Sequence, residues 1–225
     1  METIVIAPHP DDEVLSVGGT LLRRKSEGVK VAWLVVTGIS VESGWSAEKV
    51  KQRATEIERV TELFGFDEVF TLNLPTTQLD RIPMSDLVAG ISGVFNSFVP
   101  EEVFVPHPSD VHIDHRMVFD ATASCTKWFR YPSVKRVLAY ETISETDFSL
   151  DTAQGFRPNI FINIEPFLMR SFVQWTFTRL NWGHSLSPVV MRPFGHLLPC
   201  MVRPLVSRRP RLLNCCAKAR KDEFI

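Results

Sequence analysis

Short apolar runs alternate along the chain with longer stretches whose apolar residues recur at helical spacing. Short runs of β-branched and aromatic residues are typical of buried strands, and apolar positions three or four apart are typical of helices. The predicted strands cover residues 4–7, 29–36, 69–72, 103–105, 137–140 and 160–164. The predicted helices cover residues 18–25, 46–64, 83–98 and 115–128, and Ser46 is the expected N-cap of the second helix.

This alternation predicts an α/β fold with three layers. The sheet is expected to be Rossmann-like, doubly wound and mainly parallel, with a helical layer on each face. In such sheets ligands lie outside the carboxyl ends of the strands, near the point where the strand order reverses. Candidate functional residues are therefore sought in the loops that directly follow strands.

The first predicted strand leads directly into a loop crowded with charge. Residues 4–7 are followed by two prolines, which cannot donate the ladder hydrogen bonds of a sheet, and by His9, Asp11, Asp12 and Glu13. Three adjacent carboxylates repel one another in water, so a positive group is expected among them, and a metal ion is the simplest candidate. A histidine and an aspartate three positions apart can converge on one ion from a tight turn.

A second loop of the same kind follows the predicted strand at residues 103–105. Its histidines and acids are His107, Asp110, His112, Asp114 and His115. Four of the six histidines of the chain therefore lie in the two loops. Because both loops follow strands, they are expected to meet at one edge of the sheet and to form a metal site.

Length and composition narrow the class of protein. The chain has 225 residues, of which 44% are apolar and 23% charged, as expected for one globular domain with a sizeable core. The net charge of −1 gives no reason to expect a nucleic-acid partner. No segment has the unbroken apolar length of a membrane span, and the first residues lack the basic start of a signal peptide. The four cysteines have no paired spacing, which favours a reducing, cytoplasmic location, and the sequence is compatible with a homo-oligomer.

Two motifs resemble the PIG-L/LmbE-like family of zinc-dependent N-acetylglucosaminyl deacetylases. They are Pro-His-Pro-Asp-Asp-Glu at residues 8–13, directly after a strand, and Asp-x-His-x-Asp-His at residues 110–115. The motifs agree with that family in content, order and distance, and the resemblance covers about residues 3–165. It implies a Zn²⁺ ion held by His9, Asp12 and His115, and a catalytic zinc site indeed needs three such ligands besides water. Iron(II) and cobalt(II) suit the same ligands.

The resemblance also implies roles for further residues. Asp11 would be the general base that accepts a proton from the attacking water. His112 would face the developing oxyanion, and Asp114 would orient or charge a histidine. Arg53 and Ser16 would contact the substrate, an N-acetylated amino sugar.

Some of these residues have a second interpretation. Asp114 is also suited to capping a helix, and Glu13 is suited to a first helical turn, where the dipole favours an acid. Arg53 would otherwise form a surface ion pair with Glu56, and Ser16 would be a solvated loop serine.

Three other residues near the motifs receive no role. Asp110 is expected to be a carboxylate of the loop or rim rather than a ligand. His107 is expected to be exposed. Trp45 lies in a loop near the expected cleft, and a tryptophan in such a loop is expected to cover the edge of the core.

The composition changes near residue 168. Residues 1–167 contain 15 Lys and Arg against 24 Asp and Glu, a net charge of −9, whereas residues 168–225 contain 10 against 2, a net charge of +8. The sequence thus predicts a deacetylase domain at residues 1–167 and an atypical basic, proline-rich tail at residues 168–225, where the spaced prolines prevent long helices.

Two hypotheses account for this tail. In the first, the reading frame of the gene shifts near Leu168, because the codons for Leu-Met-Arg-Ser permit Asp-Glu-Lys in another frame. In the second, the tail is genuine and suited to an anionic membrane surface. The nucleotide sequence of the gene distinguishes the two hypotheses.

The two motifs and the resemblance favour a zinc-dependent hydrolase that removes an acetyl group from an N-acetylated amino sugar. The resemblance alone implies its setting, which is surface-polysaccharide or other glycoconjugate assembly. A metal-dependent phosphoesterase is the rival within enzymes, because acid-rich strand ends also suit paired metals ~3.5–4 Å apart. A non-catalytic remnant, inactivated by the altered tail, is the rival outside enzymes.

Overall fold

The structure is a computed structural model of the chain, in which residues 1–143, 145–149, 153 and 155–168 are described. The predicted tail lies outside these residues, apart from its first position, so both hypotheses about it and the division of the chain stay predictions. Among the described residues, no helix combines the length and the apolar content that crossing a bilayer requires.

In the described part of the chain, five parallel strands form one sheet that is flanked by four α-helices. The strands are Glu2–Ala7 (β1), Lys30–Gly38 (β2), Glu68–Pro75 (β3), Glu102–Pro106 (β4) and Arg136–Tyr140 (β5). The helices are Asp12–Ser26 (α1), Ala47–Phe64 (α2), Met84–Phe98 (α3) and Ile113–Ser124 (α4). The strand order is β3-β2-β1-β4-β5, and every neighbouring pair is parallel. The predicted α/β class with a doubly wound parallel sheet is confirmed.

Alternate residues of the strands face two separate apolar cores, one on each side of the sheet. Ile4 and Ile6 of β1 point to the core shared with α3 and α4, while Val5 and Ala7 point to the core shared with α1 and α2. Trp33 of β2 is fully buried in the second core. Both faces of the sheet are covered, so the central strands are apolar on both sides and read as continuous apolar runs in the sequence.

Helix α1 begins at Asp12, well before the predicted start at residue 18. Asp12 and Glu13 occupy its first turn, where the helix dipole favours carboxylates, as the second interpretation of Glu13 predicted. Gly19 lies inside the helix. Ile164 crosses the helix so closely at this point that a Cβ atom added to Gly19 would lie 2.6 Å from Ile164 Cδ1. The sequence prediction treated the two glycines as a helix start, whereas here a glycine permits close packing of two segments.

The second and fourth helices begin at different kinds of cap. Ser46 is the N-cap of α2, as predicted, and its hydroxyl accepts a hydrogen bond from Lys49 N at 3.2 Å. Helix α4 starts two residues before its predicted position and ends at Ser124 rather than at residue 128. His112 is its N-cap, and the ring accepts a hydrogen bond from Asp114 N, so the capping role considered for Asp114 is wrong.

Residues 160–164 form no strand, contrary to the sequence prediction. Arg23 donates a hydrogen bond to the carbonyl of Asn163 at 2.9 Å, and Ile164 packs against α1. Phe161 is largely exposed. The segment therefore crosses helix α1 instead of extending the sheet, and a short apolar run does not by itself distinguish these outcomes.

Candidate metal centre

The loops that follow β1 and β4 lie side by side at the carboxyl edge of the sheet. β1 and β4 are neighbouring parallel strands, with Thr3 opposite Glu102 and Val5 opposite Phe104. The chain proceeds from β1 toward β2 and from β4 toward β5, in opposite directions, so the strand order reverses here. The structure thus brings together the two histidine- and acid-rich loops, as the sequence predicted.

His9, Asp12 and His115 each bring one donor atom to a common point. His9 Nδ1 and His115 Nε2 lie 3.5 Å and 3.4 Å from Asp12 Oδ2, and the two nitrogens lie 3.4 Å from each other. An ion bound tetrahedrally at ~2.0–2.1 Å needs ligand atoms ~3.3–3.4 Å apart. The three residues therefore fit a tetrahedral divalent ion such as zinc.

The turn after β1 explains why two of these residues converge. The backbone N–H groups of Asp11 and Asp12 both lie within hydrogen-bond distance of the His9 carbonyl, at 3.0 and 3.3 Å. In return, Asp12 Oδ2 accepts a hydrogen bond from the backbone N–H of His9 at 2.8 Å. These local bonds bring residues 9 and 12 together before the second loop contributes anything.

The side of the His9 ring that faces away from Asp12 is held by a buried carboxylate. His9 Nε2 lies 3.1 Å from Asp114 Oδ2. The backbone N–H groups of Thr77 and Leu79 donate to Asp114 at 2.7 and 3.2 Å. Thr77 has a φ of 59°, a region that β-branched residues rarely adopt, and this turn directs its N–H at Asp114. Asp114 is thus placed to orient His9, which is the role that the resemblance implies.

His115 has a carboxylate partner of the same kind. Its Nδ1 lies 2.9 Å from Asp110 Oδ2, and the Thr146 hydroxyl donates to Asp110 Oδ1 at 2.6 Å. Asp110 lies in the loop and outside the three converging donors, as expected, but it is fully buried and is therefore not a carboxylate of the rim. A carboxylate that accepts from one imidazole nitrogen leaves the other nitrogen unprotonated for a metal, and metal-binding histidines commonly have such a partner.

The electrostatics of the centre favour positive charge. Burial lowers the pKa of His9, but Asp114 and Asp12 outweigh it and raise the pKa to about 9. Burial also lowers the pKa of His115, whereas Asp12 and Asp110 raise it to about 10. Burial raises the pKa of Asp12, but the two imidazoles hold it well below its usual range. A divalent cation would replace the protons that these imidazoles attract.

Asp11 lies beside this centre and is not one of the three converging residues. It is half-buried, lines the adjoining cleft, and makes no side-chain hydrogen bond to the start of α1. Burial and the charge of Asp12 raise the pKa of Asp11 to about 7, while His9 and Arg53 act in the opposite direction. A carboxylate with such a pKa is matched to accepting and returning a proton near neutral pH.

His112 packs against both histidines of the centre. Its ring centroid lies 4.6 Å from that of His9 and 5.3 Å from that of His115. Because His112 Nδ1 accepts a hydrogen bond from Asp114 N, the proton of the neutral ring is on Nε2. Burial and the charge of His9 lower the pKa of His112, which favours this neutral form. His112 lines the cleft and is suited to donating a hydrogen bond there.

A cleft of about 460 Å³ adjoins the centre, and the two predicted substrate residues relate to it differently. Arg53 lines the cleft, as a residue that contacts the substrate would. It also forms the ion pair with Glu56 that the second interpretation predicted, at 3.2 Å. Ser16 lies on α1 and not in a loop, so its second interpretation is wrong. The Ser16 hydroxyl donates to Thr142, which lines the cleft, whereas Ser16 is not among the lining residues. Their roles toward a substrate stay predictions.

Sequence reasoning missed three contributions to this site. Asp110 holds His115, the backbone of Thr77 holds Asp114, and Glu145 lines the cleft. Only Asp110 had a signal in the sequence, since it is an acid in a histidine-rich loop five positions before His115. The exposed position expected for His107 is wrong, because its ring is half-buried and packs against Phe156.

Glu13 adjoins the centre without taking part in it, and we expect its replacement to stabilise the protein. Both carboxyl oxygens are buried without a hydrogen-bond partner among the described residues. Burial and the charge of Asp11 raise the pKa of Glu13 well above its usual range. A carboxyl with a raised folded-state pKa costs stability as the pH rises above its unfolded value of ~4.3.

Glu13→Gln is therefore expected to raise the free energy of unfolding by ~1–3 kcal/mol near neutral pH, because the amide is neutral at every pH and takes up no proton on folding. The gain should disappear as the pH falls toward ~4, where the carboxyl is protonated in both states. Urea unfolding of the metal-free variant and parent at pH 5 and pH 8 measures this. A gain of equal size at both pH values would show that ionisation of Glu13 is not its cause.

Comparison with known proteins places the chain among deacetylases. The sequence profile of the PIG-L family, described as GlcNAc-PI de-N-acetylase, matches residues 4–126, which is more than half of the chain. The uncharacterized deacetylase YaiS of Escherichia coli is 24% identical over 167 residues, covering 72% of this chain and 81% of that protein. A diacetylchitobiose deacetylase of Thermococcus kodakarensis is 25% identical, covering 72% of this chain and 63% of that protein.

Solved structures agree with the fold. The conserved protein TT1542 from Thermus thermophilus superimposes with a TM-score of 0.68 at 23% identity, covering 93% of this chain and 97% of that one. The family profile spans the turn that carries His9 and Asp12 as well as the loop that carries His115. The chain therefore belongs to the PIG-L/LmbE-like family of deacetylases.

Proposed function

We propose that the chain is a zinc-dependent hydrolase that removes the acetyl group from an N-acetylated amino sugar. One observation carries the proposal. Two imidazoles and a carboxylate converge with the spacing of a tetrahedral ion, and each imidazole is held from behind by a buried carboxylate. A satisfied arrangement of this kind is typical of catalytic metal sites, which use three protein ligands and leave a position for water.

The metal is proposed to be zinc because the family resemblance implies it and the spacing of the donor atoms suits a tetrahedral ion. His9, Asp12 and His115 offer two nitrogens and one oxygen, and iron(II) or cobalt(II) would accept the same atoms. A divalent ion held there supplies a Lewis acid that polarises the amide carbonyl and lowers the pKa of water toward ~7.

The residues of the chain divide the proton transfers between them. Asp11 accepts a proton from the attacking water as its oxygen bonds to the acetyl carbon, and its carboxylate is oriented in the cleft beside Asp12. His112 Nε2–H donates a hydrogen bond to the oxygen that gains negative charge. When the carbon–nitrogen bond breaks, Asp11 returns its proton to the nitrogen, so that acetate and an amino sugar leave.

The amino sugar is proposed from the relatives. The matching profile is described as a GlcNAc-PI de-N-acetylase, and one relative is a diacetylchitobiose deacetylase. The cleft volume lies within the ~300–1,000 Å³ range of small-molecule sites. Glycoconjugate assembly in the cytoplasm, such as that of surface polysaccharides, is the proposed setting, and it rests on analogy with the family alone.

Metal removal and acetate release together test the proposal. Full-length protein is expected to bind one zinc ion per chain in elemental analysis and to release acetate from N-acetylglucosamine conjugates. Removing the ion with a chelator is expected to lower the rate at least ~100-fold, because the Lewis acid and the lowered water pKa are both lost. One equivalent of zinc should restore the rate.

The rivals predict different results. Two metal ions per chain with phosphate release from phosphoesters would support a phosphoesterase. One bound zinc ion without acetate release from any N-acetylated sugar would support a non-catalytic remnant.

A further inference from the structure

Two neighbouring aromatic side chains lie exposed in the turn between helix α4 and strand β5. They are Trp128, which is 79% exposed, and Phe129, which is 61% exposed, and we call them the aromatic pair. Of the other tryptophans that the structure describes, Trp33 is fully buried. Trp45, at 38%, lines the cleft and belongs to neither core, so the sequence-based expectation that it covers the edge of the core is wrong. An exposed apolar patch commonly marks a site that contacts a partner or a membrane.

The turn holds the aromatic pair at its tip. The Lys127 carbonyl accepts hydrogen bonds from Arg130 N and Tyr131 N, both at 2.9 Å, so the two aromatic residues lie between the ends of a closed turn. The Tyr131 hydroxyl lies 2.7 Å from the Ser92 hydroxyl, which fastens the turn to helix α3. The two rings pack edge to face on each other, with centroids 5.8 Å apart and planes at 85°. The pair is therefore presented to the outside by a positioned backbone.

The turn belongs to the amino edge of the sheet, opposite the metal centre. Lys135 N and Arg136 N donate to the Glu101 carbonyl at 2.9 and 3.1 Å, which ties the start of β5 to the start of β4. Met1 and Val99 at the same edge are 51% and 50% exposed. Val99 has a φ of 56°, a region that β-branched residues rarely adopt and in which glycine commonly ends a helix. An apolar side chain is thus kept exposed at this edge in spite of the backbone strain.

Two cations flank the aromatic pair. Lys127 and Arg130 are both exposed. Neither forms an ion pair with another described residue, whereas Lys135, a few positions further on, is paired with Glu101. Residues 1–167 as a whole carry a net charge of −9. The turn is therefore a basic and aromatic site on an acidic part of the chain, and its charge complements an anionic partner.

We infer that the turn at residues 127–130 docks on an anionic membrane surface. Tryptophan and phenylalanine rings are suited to the boundary between headgroups and acyl chains, where the indole N–H still reaches a polar group. Lys127 and Arg130 have long side chains that keep their charges at the level of the lipid phosphates. A second copy of the chain fits less well, because a symmetric contact through this turn would bring the cations of both copies together.

Helix α4 separates the turn from the metal centre. The helix begins beside His112 at the carboxyl edge of the sheet and ends at Ser124, and its 12 residues span ~18 Å at 1.5 Å per residue. Docking through the turn therefore directs the cleft away from the membrane and toward water. The inference does not depend on the proposed function, and changes in the turn should not alter acetate release from a soluble sugar.

Cosedimentation of the full-length protein with lipid vesicles tests the inference. Vesicles of phosphatidylcholine are compared with vesicles of equal parts phosphatidylcholine and phosphatidylglycerol. Trp128→Ser combined with Phe129→Ser should weaken binding to the anionic vesicles at least ~10-fold, because the apolar area that enters the interface is lost. Lys127→Gln combined with Arg130→Gln should also weaken it at least ~10-fold and leave binding to the neutral vesicles unchanged. The basic residues 168–225 are present in every variant, so a difference between variants is due to the turn.

Phe161→Ser is the matched control. Phe161 is 63% exposed, which is close to the exposure of Phe129, but it lies in the segment that crosses helix α1. Its replacement should leave vesicle binding unchanged. The thermal unfolding midpoint should be the same in all these variants, because each replaced side chain is exposed, and this measurement shows that the fold is retained.

The alternatives give different results. If the parent does not bind anionic vesicles, or if the variant that lacks the aromatic pair binds them as tightly as the parent, the inference is wrong. An equal loss of binding in Phe161→Ser would also contradict it. A parent that is dimeric in analytical ultracentrifugation and becomes monomeric when the aromatic pair is replaced would identify a second copy as the partner instead of a membrane.

Discussion

Replacing Asp11 with asparagine is expected to lower kcat for acetate release by ~10²–10⁴-fold while the protein keeps its metal ion. The amide has the size of the carboxylate but cannot accept a proton near neutral pH. Asp11 lies beside the converging residues and makes no side-chain cap bond to α1, so the three donor residues and the start of the helix keep their contacts in the variant. Steady-state kinetics of acetate release, with metal content measured on the same samples, test this.

Asp120→Asn is the matched control for Asp11→Asn. Asp120 is an exposed aspartate on α4 that does not line the cleft, and its replacement should leave kcat unchanged. An Asp11→Asn protein that retains its zinc and the parental kcat would remove Asp11 from the role of general base. Loss of zinc from the variant would instead assign Asp11 to holding the metal.

Replacing His115 with alanine is expected to abolish stoichiometric zinc binding and with it all measurable acetate release. His115 provides one of three donor atoms and is almost completely buried, so solvent offers no substitute ligand in the same position. The variant also leaves Asp110 buried without its imidazole partner, which costs stability as well. Equilibrium dialysis against zinc and thermal unfolding measure the two effects separately.

The effect of His115→Ala on zinc binding is compared with the effects of two further variants. Asp110→Asn keeps the ligand His115 but weakens the hydrogen bond that orients it, and metal affinity should fall by ~10–100-fold. His107→Ala removes a histidine of the same loop that packs on Phe156 outside the metal site, and zinc binding should not change. If His115→Ala bound zinc as tightly as His107→Ala does, the proposed ligand set would be wrong.

The paired histidine–carboxylate contacts explain why the site contains acids besides the proposed ligand Asp12. Asp114 fixes His9 and Asp110 fixes His115, and each carboxylate is itself held by donors from a different segment. The Thr77 N–H comes from the segment after β3, and the Thr146 hydroxyl comes from the segment after β5. Four segments of the chain thus position the two imidazole rings, as carboxylate partners do for histidines that bind metals.

The boundaries of the elements show where local patterns were insufficient. Helix α1 starts earlier than its apolar pattern indicates, because carboxylates in its first turn interact with the helix dipole. Residues 160–164 have the composition of a strand but pack across α1, where Gly19 leaves room for Ile164. In both cases a neighbouring charge or segment, and not the local pattern, determined the outcome.

The sequence alone determined the fold class and the convergence of the two loops. Apolar runs separated by amphipathic helices specify a parallel sheet, and the carboxyl ends of parallel strands meet at one edge. His9, Asp12 and His115 could therefore be expected at one site although two loops far apart in the chain supply them.

Only the tertiary structure decided what surrounds these residues. Three features depend on contacts between segments that are distant in the chain. They are the burial of Asp110, the hydrogen bond from Thr77 N–H to Asp114, and the cleft between α2 and β3. Such contacts have no local signature, because the sequence around a loop aspartate or a turn threonine can be the same whether solvent or a histidine lies beside its side chain. Their partners are fixed only when the packing of the sheet and helices sets the distances between loops.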